Sequence, residues 1–167
     1  KVRIQSSKVL EAQMKAVGAI PQVMAFSEVY QALQTGVVDG QENTPSNMYT
    51  QKYQEVQKHG ALTNHGYIGY AVIVNKKFWD GLPADVRGQL DKAMAEATQY
   101  ANDVSEKEND DALAAMKASG KINFHTPTEA ERKLWVKAML PVHNDVASRV
   151  GKDTLEAVYK AVGDPRK

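Results

Sequence analysis

The stretch Met24-Ala-Phe-Ser-Glu-Val-Tyr-Gln-Ala-Leu-Gln-Thr-Gly-Val-Val-Asp-Gly-Gln-Glu-Asn43 combines a strand end, a helix, a glycine stop, a second strand and a polar turn. Ser27 is a favourable N-cap residue and Gly36 a favourable helix stop, so a helix is predicted between them. The two valines at 37–38 predict a short buried strand. The polar residues 39–43 follow its carboxyl end, which is where open α/β sheets bind their ligands.

Working outward, the first part of the chain alternates strand and helix patterns. Strands are predicted at 2–5 and 20–24, and Ser6 or Ser7 caps the helix between them. A further helix begins at Thr44-Pro45 and reaches about residue 58. Alternation with short connections is typical of βαβ units on a largely parallel sheet.

The second part is mostly helical. Residues 65–75 predict one long apolar strand, and a helical pattern then runs from about residue 86 to 119. At 1.5 Å per residue this helix spans roughly 50 Å, and its polar segment 105–111 predicts either a kink or a crossing of open solvent. We therefore divide the chain into an α/β ligand-binding lobe, 1–75, and a helical region, 76–167. The remaining predicted elements are a strand at 121–125 and helices at 128–150 and 153–162.

Composition excludes several classes of function. The 167 residues suffice for one ordinary core, and the net charge of +1 gives no electrostatic support to a nucleic-acid partner. The absence of cysteine excludes disulfides and thiolate metal sites. No apolar run approaches the roughly 20 residues needed to span a bilayer.

Residues Ala25 to Asn43 resemble the most characteristic stretch of the solute-binding subunits of tripartite ATP-independent periplasmic (TRAP) transporters. The spacing back to Arg3, the pair Asn64-His65 and the long helix after Leu82-Pro83 agree with that family. The runs at 1–7 and 66–76 look most like its DctP-type branch, which binds four-carbon dicarboxylates.

The resemblance implies an α/β, periplasmic binding protein-like fold with two lobes that close on an organic acid. This chain would hold the second α/β lobe and the long bridging helices, with the first lobe largely missing. The opening strand, which begins at the first residues, agrees with such a carboxyl-terminal fragment. The implied location is the periplasm, and no cofactor is implied. The implied partners are a dicarboxylate of the malate, succinate or fumarate type and the membrane subunits of the transporter. A truncated two-lobed protein also exposes apolar surface, which favours self-association.

Arg3 matches the arginine with which this family binds the ligand carboxylate. A guanidinium offers a planar fork of donors, pairs bidentately with a carboxylate and stays charged at any working pH. The structural alternative is a solvent-exposed strand arginine or an ordinary ion pair.

Five other residues are candidates for the site, and each has a structural alternative. Three of them, Asn43, Phe26 and His65, match positions around the family's site. Asn43 would present its amide to the ligand or cap the next helix, and Phe26 would wall the pocket or pack in the core. Ser6, at a helix start, would meet an anion or serve as an ordinary cap. His65 and, more weakly, Tyr67 would lie near the ligand or be purely structural.

No catalytic constellation is present in the sequence. The four histidines lack metal-ligand spacing, and no Ser-His-acid or P-loop pattern occurs. We therefore predict a binding protein and not an enzyme. A ligand-sensing domain on the same scaffold is the main alternative. An enzyme acting on small acids is the third, with His65 as its sole candidate base.

Overall fold

The computed structural model describes residues 1–166. Short 3₁₀ turns occur at Phe26–Glu28 and Tyr53–Glu55. The strands are β1 (Val2–Ile4), β2 (Pro21–Val23), β3 (Gly40–Gln41), β4 (His59–Ala61) and β5 (Asn123–His125). The helices are α1 (Lys8–Ala16), α2 (Val29–Gln34), α3 (Pro45–Thr50), α4 (Lys76–Asp80), α5 (Ala84–Ala118), α6 (Glu129–Val150) and α7 (Lys152–Val162).

Strand β1 lies at the centre of a parallel sheet with the order β2-β1-β3. Arg3, in the middle of β1, pairs with Gln22 on one side and with Gln41 on the other. Helices α1 and α2 connect these strands, because parallel neighbours require a crossover. The predicted βαβ units and parallel sheet are confirmed.

The stretch that contains α2 supplies most of the main buried cluster. The α2 residues Val29, Ala32 and Leu33 follow the spacing of an amphipathic helix, and all three are buried. Val38 and Tyr53 complete the cluster. The partly buried side chains packed against it are Met24, Phe26, Tyr30, Met48 and Val56.

Two predicted details of this stretch are wrong. The strand lies at Gly40–Gln41 and not at 37–38, because the amide groups of Val37 and Val38 both donate to the carbonyl of Ala32 at the end of α2. These amides are therefore turned away from a sheet ladder. Ser27 lies inside the first 3₁₀ turn, and no side chain caps α2.

The predicted strand at 65–75 is also wrong. This run has no regular secondary structure, and the exposed fractions of Tyr67, Tyr70 and Ile73 are 95%, 84% and 90%. Within residues 1–166 no strand pairs with it, and an apolar run needs a partner strand to form a ladder. The self-association suggested by exposed apolar surface stays a prediction.

Helix α5 confirms the long predicted helix, with 35 residues from Ala84 to Ala118. It continues through the polar segment 105–111, and residues 88–103 are all exposed. Its carboxyl-terminal third packs through the buried Ala112 and Met116, and α5 contacts α3. The helix is therefore not interrupted at the polar segment, and its first half lies in solvent.

The chain after α5 returns to the first part of the fold. Strand β5 pairs in parallel with β4, and the Phe124 ring lies 2.7 Å from where a Cβ of Gly60 would be. Only glycine therefore fits at position 60 without a shift of that ring. Helix α6 packs against α1. The division of the chain at residue 75 stays a prediction. No helix among the described residues combines the length and apolar character of a membrane span.

Helix α6 begins with a reciprocal capping box, and its loss gives a stability prediction. The Glu131 amide donates to Thr128 Oγ1 over 3.3 Å, while the Thr128 amide donates to Glu131 Oε2 over 2.7 Å. We expect Thr128→Ala to lower the free energy of unfolding by about 0.5–2 kcal/mol, measured by urea denaturation. Thr126→Ala, at an exposed position just before the helix, is the matched control and should change little.

The same capping box predicts a pH dependence. Hydrogen bonds from the Thr128 backbone and hydroxyl, with a contribution from His125, lower the pKa of the Glu131 carboxyl. A carboxyl group whose pKa is lower in the folded than in the unfolded chain stabilises the fold at pH values above its unfolded pKa. This stabilisation is lost as the pH falls through its folded pKa. Part of the difference between wild type and Thr128→Ala should therefore disappear in acid; a difference that grows in acid would contradict this assignment.

Candidate functional site

Arg3 is the most buried charged side chain in the described part of the protein, with 1% of its surface exposed. Its Nε and Nη2 atoms donate to the carbonyl of Met24 over 3.1 and 2.9 Å. The carbonyl is held there because the Met24 amide donates to Ile4 as the chain leaves β2. The sheet therefore fixes the guanidinium beside the start of the characteristic stretch.

The charge of Arg3 is not neutralised by a direct ion pair. No carboxylate of residues 1–166 lies within 4 Å of it, and its Nη1 atom has no hydrogen-bond partner there. Burial lowers the pKa of the guanidinium, while Tyr53 and then Glu42 act in the opposite direction. Because a buried charge is costly unless paired, this arrangement favours an anionic ligand at Arg3.

Phe26 forms an aromatic wall beside the guanidinium. The Arg3 Cζ atom lies 5.8 Å from the centroid of the Phe26 ring, within the range of a cation–π contact. Phe26 also meets Tyr53 edge-on, with ring centroids 6.3 Å apart. The structure thus brings two predicted site residues, Arg3 and Phe26, together. The role of Phe26 toward a ligand stays a prediction.

Asn43 follows β3 and organises the start of α3. Its Oδ1 atom accepts from the Thr44 amide over 3.1 Å and from Asn47 Nδ2 over 2.7 Å. Asn43 thus has a local role before α3, but the N-cap of that helix is Thr44 and no side chain caps it. The predicted ligand contact would then use the Nδ2 group, which can donate to a carboxylate.

His65 is held by three contacts. Its Nδ1 lies 2.7 Å from Thr63 Oγ1, its Nε2 lies 3.7 Å from Glu42 Oε2, and its carbonyl accepts from Gln13 of α1 over 3.1 Å. Glu42 directly precedes Asn43, so the ring lies next to the polar turn. This network accounts for a structural role, and a ligand role for His65 stays a prediction.

The structure does not bring Ser6 and Tyr67 into this cluster. Ser6 is exposed and Ser7 is the residue whose hydroxyl caps α1, accepting from the Leu10 amide. Tyr67 lies in the irregular run after His65 with 95% of its surface exposed. Contacts of either residue with a ligand stay predictions.

Two polar residues beside Arg3 were not predicted from the sequence. Tyr53 is fully buried. Gln41 is the in-register neighbour of Arg3, so the side chains of Gln41 and Arg3 lie on the same face of the sheet. Tyr53 Oη and Gln41 Oε1 have no hydrogen-bond partner among the described residues. The only sequence signal for Gln41 was its place in the polar turn. That it lies beside Arg3 could be seen only from the register of β3 with β1.

Two surface cavities lie away from this cluster. One is lined by residues from Asn75 to Leu82, and the other lies between α1 and α6, where Pro141 interrupts the regular bonding of α6. Neither borders Arg3. Among the described residues no group of three or more acidic, histidine or cysteine side chains could hold a metal ion.

The sequence and fold place the chain in a known family. Residues 1–149 match the family "Bacterial extracellular solute-binding protein, family 7", and the chain belongs to that family. A relative, the C4-dicarboxylate-binding periplasmic protein DctP of Rhodobacter capsulatus, is 64% identical over 164 residues, which are 98% of this chain and 49% of that protein. The chain thus spans about half the length of the curated relatives it matches.

Solved structures give the same assignment. A TRAP periplasmic solute-binding protein from Shewanella oneidensis, with bound succinate, matches with a TM-score of 0.93 and 41% identity, over 96% of this chain and 52% of that one. One from Pseudomonas aeruginosa, with bound L-malate, matches with a TM-score of 0.83 and 35% identity, over 86% of this chain and 50% of that one. The predicted resemblance and fold class are confirmed, and membership of a solute-binding family agrees with the prediction of a non-enzyme.

Proposed function

We propose that this chain is the Arg3-bearing part of a periplasmic binding protein that captures a small dicarboxylate and delivers it to the membrane subunits of a TRAP transporter. The single observation that carries the proposal is Arg3 itself: a fully buried guanidinium with an unpartnered nitrogen and no carboxylate within 4 Å among residues 1–166. An anionic ligand would supply the missing charge.

The relatives support the choice of a dicarboxylate. The Rhodobacter capsulatus relative is named for binding C4-dicarboxylates in the periplasm, and the two matched structures hold succinate and L-malate. The carboxylate at Arg3 accounts for one end of such a ligand. We propose that the other end meets groups outside these 167 residues, because the relatives are about twice as long.

In this proposal the ligand shifts an equilibrium between an open and a closed form of the complete protein. Arg3 is already buried by the residues of this chain, so ligand entry also requires a movement within them that makes Nη1 accessible. A ligand that binds the closed form more tightly stabilises it, and the membrane subunits would receive that form.

The proposal is tested by thermal unfolding of the complete protein with succinate, malate and fumarate. Each at 100 times its dissociation constant should stabilise the protein by about 2.7 kcal/mol, seen as a higher midpoint temperature. Butyrate, which has the carbon chain of succinate but one carboxylate, is the matched control and should give a much smaller shift. Absence of a shift with all three dicarboxylates would refute the proposal.

The proposed division of the site has its own measurement. The 167-residue chain alone should show little or no shift with the same ligands, because it supplies contacts to one end only. Equal stabilisation of this chain and of the complete protein would refute the idea that the site is shared, while leaving dicarboxylate binding intact.

A further inference from the structure

Tyr53 presents a buried hydroxyl that the fold does not use. The residue opens the second 3₁₀ turn, its side chain is 0% exposed, and its ring packs in the main cluster with Val29, Leu33 and Val38. Its Oη atom has no hydrogen-bond partner within residues 1–166. A buried hydroxyl without a partner is unfavourable, and phenylalanine would fill the same space without that cost.

This hydroxyl belongs to the surroundings of Arg3. The Phe26 ring contacts both the Arg3 guanidinium, at 5.8 Å, and the Tyr53 ring, at 6.3 Å. Burial raises the pKa of the Tyr53 hydroxyl, and the charge of Arg3 offsets this only in part. The hydroxyl therefore keeps its proton at neutral pH and is available as a donor.

Arg3 Nη1 and Tyr53 Oη are thus two buried donors whose side chains both contact Phe26, and both are without a partner in the described chain. A carboxylate is the matching group, since it accepts hydrogen bonds only and offers about four lone-pair positions on two oxygens. Gln41 Oε1, which is also unpartnered, is an acceptor and does not compete for such a ligand.

We infer that Tyr53 is a ligand-binding residue whose hydroxyl donates to the same carboxylate that Arg3 binds. This inference rests on the proposed function, because it needs a carboxylate at Arg3. It adds a neutral donor to the charged one, so that a second hydrogen bond orients the bound carboxylate.

The test compares Tyr53→Phe with wild type in the complete protein, by titration calorimetry with succinate and with malate. Loss of a hydrogen bond to a charged acceptor should raise the dissociation constant about 10-fold or more. The factor should be equal for the two ligands, because both have the carboxylate and only malate has a hydroxyl. Tyr30→Phe is the matched control: its hydroxyl lies 3.4 Å from Glu55 at the surface, and affinity should not change.

Thermal unfolding of the ligand-free variant distinguishes a ligand-binding role of the hydroxyl from a packing role. Since Tyr53→Phe removes an unpartnered polar atom and keeps the ring, the midpoint temperature without ligand should stay equal or rise while affinity falls. Unchanged affinity, a loss confined to malate, or a lower midpoint together with weaker binding would each overturn the inference. If wild type itself binds neither acid, the proposed function fails, which is a separate result.

Discussion

Arg3→Ala in the complete protein should abolish measurable dicarboxylate binding while the protein remains folded. Removing one member of a buried, hydrogen-bonded charge pair costs about 2–5 kcal/mol, which is roughly a 30- to several-thousand-fold loss of affinity. The loss is expected to be this large because Arg3 is 1% exposed and the ligand would be its counter-charge. Titration calorimetry with succinate measures the affinity, and circular dichroism checks the fold.

Two further variants define what Arg3 contributes. Arg132→Ala removes an exposed arginine of α6 and should leave affinity unchanged. Arg3→Lys keeps the charge but lacks the planar fork, so its affinity should fall between those of wild type and Arg3→Ala. Wild-type affinity in Arg3→Ala would remove Arg3 from the binding site, and with it the physical basis of the proposed function.

Met116→Ala should cause a large loss of stability. Met116 is 0% exposed and, with Ala112, forms the buried part of α5, whose first half lies in solvent. Truncation of a buried methionine to alanine costs about 2–5 kcal/mol, because it removes apolar contacts and leaves a cavity. Urea denaturation of the 167-residue chain should show this as a lower midpoint.

Met94→Ala is the matched control for this prediction, since it makes the same change on the same helix at a side chain that is 39% exposed. Its effect should stay within about 0.5 kcal/mol. Equal losses for the two variants would mean that the burial of Met116 does not decide how much this side chain contributes to stability.

Local signals in the sequence predicted several elements well. A helix was predicted at 128–150, and α6 spans Glu129–Val150. The uninterrupted pattern after Leu82-Pro83 predicted a helix of about the observed length. These predictions succeed because a helix satisfies its backbone hydrogen bonds within a single segment.

Strands were predicted less well because their partners lie elsewhere in the chain. Residues 65–75 have the composition of a buried strand, yet no strand of the described chain pairs with them. The strand predicted at the valines 37–38 is absent for a different reason, because the amides of both valines donate to the Ala32 carbonyl at the end of α2. Apolar residues indicate that a segment can be buried, but the pairing decides whether it becomes a strand.

For the candidate site, the sequence by itself predicted Arg3 as the residue that carries the positive charge. The spacing between Arg3 and the stretch that ends at Asn43 also indicated the family, and the match of the family model to residues 1–149 confirms it. Only the tertiary structure decided the surroundings of that charge: the carbonyl of Met24, the ring of Phe26, the unpartnered hydroxyl of Tyr53 and the register with Gln41. The reason is physical, because side-chain chemistry is local to a residue, whereas burial and hydrogen-bond partners come from segments that are distant in sequence.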